Sequence, residues 1–537
     1  MGEWLYLLSY LFFAIWATRL SPHILYYGDA FHVAVILQWM GYASGGTRWG
    51  LPSIMRWLRP ILGRCSALWI VWFFWSAIWG SIALVRHYAF YTDDFDVGLF
   101  GQVLQNLSRF NGFGQTVDVV HDYFRIHQNF ILPVLAPLFW LPRSTELMLL
   151  TQAFLLFLPG VLLALAVRRN WKSDGDLWAW LVLACWFLAA PVIRNTFWDF
   201  HETCLSAGFL ALWAWGLLEG NAVAFVAGGR LAGLTKENLL VGVIPGVLLF
   251  PLKHRSRFRP WFALAALHLI LFWLEQHFLS ELNYSNKRYG NLGTNWSEVL
   301  IGIVKDPAQW TGVLMNEKKR HFLLDTIQHA GYFSLLGDWS TLAWIPLYFT
   351  HTVTNYWPQY DTFYHYVMEV WPAAMVAAMA FWKRILTRYP TRSLQWLSLV
   401  ATLVFWPETE NPWVRFNLWW PEARINGPIA ADVRREITGL KRQCRGPVFG
   451  VVSHGYFAQV YDLAESFPLR TTGDEKEWLE NKKGFKDVFG GRDCTFLWVR
   501  RDEGAALLPK LVGNYEPVKT WLVNGHDETV LYFRRRQ

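Results

Sequence analysis

The chain has 537 residues, 53% hydrophobic and 18% aromatic but only 17% charged. A soluble protein carries about 25% charged residues, so an ordinary soluble enzyme is excluded and a polytopic α-helical membrane protein is expected. Its net charge of +8 does not indicate nucleic acid, because the basic residues gather in short loops between apolar segments.

Residues 1–60 hold an apolar stretch at 4–17 with Glu3 before it and no basic residue ahead of it. That start does not suit a signal peptide, and the stretch reads as either an extra short span or an interfacial helix. Residues 61–406 are expected to form the transmembrane domain. Segment 66–85 is free of charge and meets the roughly 20 residues needed to cross a bilayer core. Further apolar segments lie at 146–167, 177–193, 204–218, 222–234, 239–252, 260–279, 321–336, 341–353, 366–382 and 393–406, giving eleven candidate spans, several of them short.

Four basic groups fall between these segments. They are Arg56, Arg59 and Arg64; Arg168, Arg169 and Lys172; Lys253, Arg255, Arg257 and Arg259; and Lys383, Arg384, Arg388 and Arg392. The positive-inside rule assigns all four to the cytoplasm, and strict alternation of the spans agrees. Loops 86–145 and 280–320 are then long outer loops, with an apolar run at 131–140 that is too short to span and is expected to lie on the surface. Residues 407–537 turn polar and read as a small extracytoplasmic α/β domain with strand-like runs at 447–453, 494–500 and 528–534. Of the five cysteines, no pair has zinc-site spacing. Cys444 and Cys494 are the two in the tail and are candidates for a disulfide.

Three acidic clusters flank apolar segments on the predicted outer side: Asp93, Asp94 and Asp96 in YTDDFDVG, Asp199 with Glu202 in WDFHE, and Glu237 in LTKEN. Carboxylates so close to hydrocarbon mark a functional site. The first cluster can supply a general base or hold a divalent cation, Mg or Mn, on Asp94 and Asp96. It also fits a solvated loop with an aspartate helix cap. Lys236 beside Glu237 suits a phosphate or a side chain that snorkels to the interface. Arg125 can grip a phosphate and His127 can shuttle a proton, while His201 and His365 add further polar candidates. An interfacial aromatic belt accounts equally well for the tyrosines around His365.

FDVGLFGQ after the first span, HQNFILPVLAPLFWL at 127–141, WDFHE, TKEN and YHY occur in this order. Together they resemble the family "domain of unknown function 2079" of predicted bacterial membrane proteins, which looks related to the C-class glycosyltransferases. The resemblance implies a GT-C-like fold in a bacterial inner membrane and, as partners, the lipid bilayer, a polyprenyl-phosphate sugar donor and a glycan, lipid or protein acceptor. It implies an inverting sugar transfer with Asp96, or Asp94, as the catalytic residue. Asp199, His201, Glu202, Lys236, Glu237, Arg125, His127 and His365 would then bind substrate. A transporter or flippase of a lipid-linked or small polar substrate is the competing expectation.

Overall fold

The computed structural model describes residues 65–89, 91–92, 94–115, 122–171, 175–254, 296–305, 316–392, 396–397, 399–401 and 412–443, five strands between 449 and 535, and the single positions 37, 40, 270, 289 and 292. The helices that build the bundle are α1 (Cys65–Tyr88), α2 (Leu99–Ser108), α3 (Ser144–Asn170), α4 (Gly175–Leu188), α5 (Ala190–Phe197), α6 (Thr203–Glu219), α7 (Ala222–Thr235) and α8 (Glu237–Lys253). They are followed by α9 (Trp296–Lys305), α10 (Glu317–Gln328), α11 (Trp339–Thr352), α12 (Trp371–Arg388) and α13 (Pro412–Gln443).

Among the described residues, α1 and α3 are long and apolar enough to cross a membrane. The pair α4 and α5, bent by 49° at its break, counts as a third if taken as one span. The other candidate segments that fall on described residues are shorter or broken, as several of the eleven were expected to be. Helices α6 and α8 have 17 residues each, which at 1.5 Å per residue gives about 26 Å, short of a hydrocarbon core of about 30 Å. Segment 321–336 is not one apolar helix: α10 carries Lys318, Lys319, Arg320 and Asp325 and gives way to a 3-10 turn at Phe333–Leu336. Segment 260–279, and most of 393–406, lie outside the described residues.

Three tryptophans tie the helices together by donating their N–H groups to carbonyls of a neighbouring helix. Trp72 of α1 donates to the Phe154 carbonyl at 3.1 Å, Trp75 to the Phe187 carbonyl at 3.1 Å, and Trp186 of α4 to the Leu156 carbonyl at 2.8 Å. The hairpin of α6 and α7 relies on small residues. A Cβ on Gly216 would meet the backbone of Phe225, and one on Gly228 would meet the backbone of Trp213. Only glycine permits this approach of the two backbones. Helix α12 is buried around most of its circumference from Trp371 to Met379, as an apolar helix at the centre of a bundle should be.

The bundle has two chemically distinct poles. At one, the basic ends of helices find carboxylates: Arg168 meets Asp176 at 2.8 Å, Lys253 meets Asp338 at 2.8 Å, and Lys383 meets Glu219 at 2.7 Å. At the other end of the same helices lie Arg86, the 198–202 turn, Lys236, His351 and Glu369. The run at 131–140 is a 3-10 helix, Leu132–Trp140, with Leu132 and Leu135 buried and Val134 and Trp140 exposed. It is fastened to its neighbours by the Trp140 N–H on the Ser108 carbonyl at 2.9 Å and by the Phe130 N–H on the Leu234 carbonyl at 2.9 Å.

Beyond the bundle, α13 begins inside the region expected to be a polar tail, yet its first turns pack on the helices. Trp419 lies 5.4 Å from the Phe197 ring, and the Arg415 guanidinium stacks over Phe197 at 5.2 Å. The boundary expected at 407 therefore cuts into the helical body. Five strands follow: β1 (Phe449–Ser453), β2 (Glu465–Leu469), β3 (Cys494–Arg500), β4 (Tyr515–Val523) and β5 (Glu528–Arg535). They form one sheet in the order β2-β1-β3-β5-β4, with β1 parallel to β2 and β3, and β5 antiparallel to β3 and β4. Lys519 of β4 joins the sheet to α13 through Asp432 at 2.6 Å and Glu436 at 3.1 Å. Cys444, and with it the expected disulfide, lies outside the described residues.

Candidate functional site

The first acidic loop folds into a π-helical turn, Asp94–Gly98, that runs directly into α2. Turns of this kind are rare and recur at functional sites. Asp96 is half-buried there. Asp93 and the side chains of Asp94, Arg125 and Glu237 lie outside the described residues. Phe100, one turn beyond Asp96, packs its ring against Phe200 at 5.3 Å and His201 at 5.2 Å. The 86–145 loop and the WDFHE turn are thus in direct contact. Strand β2 comes up against the same Asp94–Gly98 turn.

The centre of the site is a buried ionic network. Lys236, between α7 and α8, approaches Glu369 at 2.9 Å and Glu202 at 3.7 Å. Glu369 also accepts from the Asn238 amide at 2.7 Å and lies 3.3 Å from His351 Nε2. Glu202 meets His201 Nδ1 at 2.6 Å. The His201 ring stacks on His365 with centroids 3.3 Å apart, and His365 in turn lies 4.0 Å from Tyr366. The Tyr366 ring sits under the Lys236 ammonium at 4.6 Å. Glu202, Glu369 and His351 are fully buried and Lys236 nearly so. Charges this deep persist only when paired.

Local structure explains how the chain delivers these groups. Glu202 is the N-cap of α6 and Glu369 ends a short 3-10 turn ahead of α12. Both carboxylates therefore meet the positive ends of helices. Lys236 adopts extended backbone at the α7–α8 junction, which breaks one apolar helix into two and turns the side chain inward.

The two carboxylates respond to this environment in opposite directions. Burial pushes the Glu202 carboxyl up, and Lys236 and His127 only partly offset it. Burial acts on Glu369 in the same sense, but Lys236 and His351 overcome it and hold that carboxyl well below its ordinary value. The shorter contact of Lys236, to Glu369, accounts for the difference.

Asp199 takes another partner. It accepts from Arg86, at the end of α1, at 2.7 Å, and the guanidinium lies 4.9 Å over the Trp198 ring. Gln152 braces this turn from α3, donating to the Asp199 carbonyl at 3.1 Å and accepting from the His201 N–H at 2.8 Å.

The sequence reading singled out His127, Asp199, His201, Glu202, Lys236 and His365, and the fold gathers all six at one pole. It did not single out Arg86, Asn238, His351 or Glu369, while Tyr366 was one of the three tyrosines expected to line a sugar site with His365. Glu369 carries the same signal as Glu202, an acid just ahead of an apolar segment. His351 had no such signal, being one histidine at the end of an apolar helix. Lys236, expected to face a phosphate, is committed to two carboxylates. Among the described residues no group of three or more His, Cys, Asp or Glu could hold a metal ion.

The sequence model of the family described as "Predicted membrane protein (DUF2079)" matches residues 86–425. The chain belongs to this family. In this DUF2079 protein the matched region spans the whole ionic network, from Arg86 to Glu369, and ends within α13. No curated protein matches the sequence. Among solved structures the chain is similar to ArnT from Cupriavidus metallidurans in the apo state, with a TM-score of 0.41 and 15% identity over 85% of this chain and 97% of that one.

Proposed function

We propose that this DUF2079 protein is a membrane glycosyltransferase that moves a sugar from a polyprenyl-phosphate donor to an envelope acceptor, with inversion at the anomeric carbon. The observation that carries the reading is the meeting of Glu202, Lys236 and Glu369 at the pole opposite the basic helix ends. An anionic, lipid-anchored substrate reaches such a site from the bilayer without leaving it.

In the proposed reaction Asp96 takes the proton of an acceptor hydroxyl, and the oxygen attacks the anomeric carbon. The bond from that carbon to the phosphate oxygen breaks, and polyprenyl phosphate leaves with the electron pair. Phosphate is already a good leaving group, so no separate acid is required. Arg125 is the cation assigned to its developing charge, while Lys236 holds Glu202 and Glu369 in register. Asp94 is the alternative base, and a divalent cation shared by Asp94 and Asp96 is the alternative role for that pair. The carboxyl-terminal sheet is proposed to be an extracytoplasmic α/β domain, with the protein in the bacterial inner membrane.

The complete burial of the network favours a second reading, proton- or ion-coupled transport. One experiment separates the two. Purified protein in nanodiscs is given radiolabelled polyprenyl-phosphate sugars together with membranes from cells lacking the protein, as the acceptor source. Transfer of label to an acceptor, lost in Asp96→Asn, supports the enzyme. Uptake of label into sealed vesicles without transfer supports transport.

A further inference from the structure

We propose that His201 and Glu202 form a one-proton acid–base pair, with the stacked His365 kept neutral, and that His201 is the residue that exchanges this proton with substrate. The inference leans on the proposed function only for the identity of that substrate.

Charge balance is the first argument. With neutral imidazoles the network holds two carboxylates, Glu202 and Glu369, against one ammonium, Lys236, while Asp199 is neutralised by Arg86. A fully buried and uncompensated negative charge is costly, so one further proton belongs in the network. Besides His127, which stands close enough to act on the Glu202 charge, three imidazoles could carry it. His351 is completely buried, neither ring nitrogen makes an aligned hydrogen bond among the described residues, and its nearest carboxylate, Glu369, stands at 3.3 Å and is already paired with Lys236. Protonating it would bury an unpaired N–H. His365 contacts the imidazole of His201 face to face at 3.3 Å, and two imidazolium rings at that separation repel strongly. His201 alone has a carboxylate within 3 Å, Glu202 at 2.6 Å from Nδ1, a close ion contact rather than an aligned hydrogen bond.

The second argument is orientation. A carboxylate on Nδ1 fixes the ring and directs Nε2 elsewhere, the arrangement that turns an imidazole into a working acid or base. Glu202 is therefore a positioning residue. The groups shown against His201 are Phe100 of α2, Glu202 on its own turn, and His365 and Tyr366 from the 3-10 turn, while Lys236 and His127 act on Glu202 and Glu369 lies beyond Lys236. Of the other site carboxylates, Glu369 is paired with Lys236 and Asp199 with Arg86.

The test reads the protons without any sugar assay. Exchange of the histidine C2 hydrogens in purified protein, followed by peptide mass spectrometry across pH, gives a midpoint for each imidazole. His201 is expected to have the highest midpoint of the four site histidines, and His365 a midpoint below it. Glu202→Gln, close in shape, lowers the His201 midpoint by about one unit or more. His201→Gln raises the His365 midpoint, and this second variant decides the matter if Glu202→Gln does not fold. Equal midpoints for the stacked pair, a His201 midpoint unmoved by Glu202→Gln, or the highest midpoint on His351 would overturn the proposal. Titration as expected with no sugar transfer would overturn the glycosyltransferase reading and leave the acid–base pair standing.

Discussion

Lys236 and Glu369 are 133 residues apart in the chain, and their charged atoms meet at 2.9 Å in a fully buried setting. The contact joins the α7–α8 junction to the start of α12 and so ties the two halves of the bundle at the acidic pole. Removing one partner leaves a buried charge unpaired. Lys236→Met alone is expected to cost about 3–5 kcal/mol, whereas Lys236→Met with Glu369→Leu should cost far less. Thermal unfolding of the single and double variants in detergent measures the difference. Equal losses in both would show that the pair is not the source of stability.

Acid should act on Glu202 and Glu369 in opposite senses. The Glu369 carboxyl is held well below its ordinary value, so its stabilisation is present above the unfolded value of about 4.3 and fades as pH falls toward the folded value. The Glu202 carboxyl is raised, so its contribution is greatest below the unfolded value and is lost as pH rises through the folded one. Melting temperatures followed from pH 7 to pH 4 should therefore fall less steeply in Glu369→Gln than in the parent, and more steeply in Glu202→Gln. The reverse order would contradict these directions.

Asp96→Asn keeps the shape of the π-helical turn and removes the proposed base. Sugar transfer should drop about 100-fold or more while the protein inserts and purifies normally. Asp94→Asn should cost less, unless the two aspartates hold a metal jointly, in which case both losses are severe and added Mg or Mn partly restores activity. Near-normal transfer by well-folded Asp96→Asn would move the base to another acid.

The tail is expected outside the cytoplasm, on the acidic side of the bundle. A reporter fused after Gln537 that works only outside the cytoplasm should be active, and a strictly cytoplasmic reporter silent. Activity of the cytoplasmic reporter would invert the orientation of both poles.

The α6–α7 hairpin should be intolerant of side chains at its closest approach. A Cβ at Gly216 would collide with the Phe225 backbone, which cannot rotate away as a side chain can. Gly216→Ala is expected to lose about 1–3 kcal/mol, whereas Gly427→Ala, with open space around it, should lose less than 1 kcal/mol, a helix-interior alanine being intrinsically favourable. Comparable melting temperatures for the two variants would contradict the tight packing.

The sequence by itself determined the class of protein, its family and the gathering of six candidate residues near the ends of apolar segments. Apolar segments with basic residues at one end and acids at the other need only hydropathy and charge to be seen, because the bilayer imposes both along the chain. The short motifs FDVGLFGQ, WDFHE and TKEN likewise carried the family in the linear order of residues. Which charges neutralise one another was decided only by tertiary structure. Lys236 looked free for a phosphate, yet a histidine-backed carboxylate from α6 and another ahead of α12 surround it. Glu369 and His351 entered the site because α11 and α12 pack beside the α7–α8 junction, and no local pattern encodes that meeting. The number of full-length spans also depended on packing. A kink at 189 and a 3-10 break after α10 interrupt segments that a hydropathy window reads as continuous. Buried ion pairs form between residues far apart in sequence, and their partners are set by how helices dock rather than by the residues adjacent to each charge.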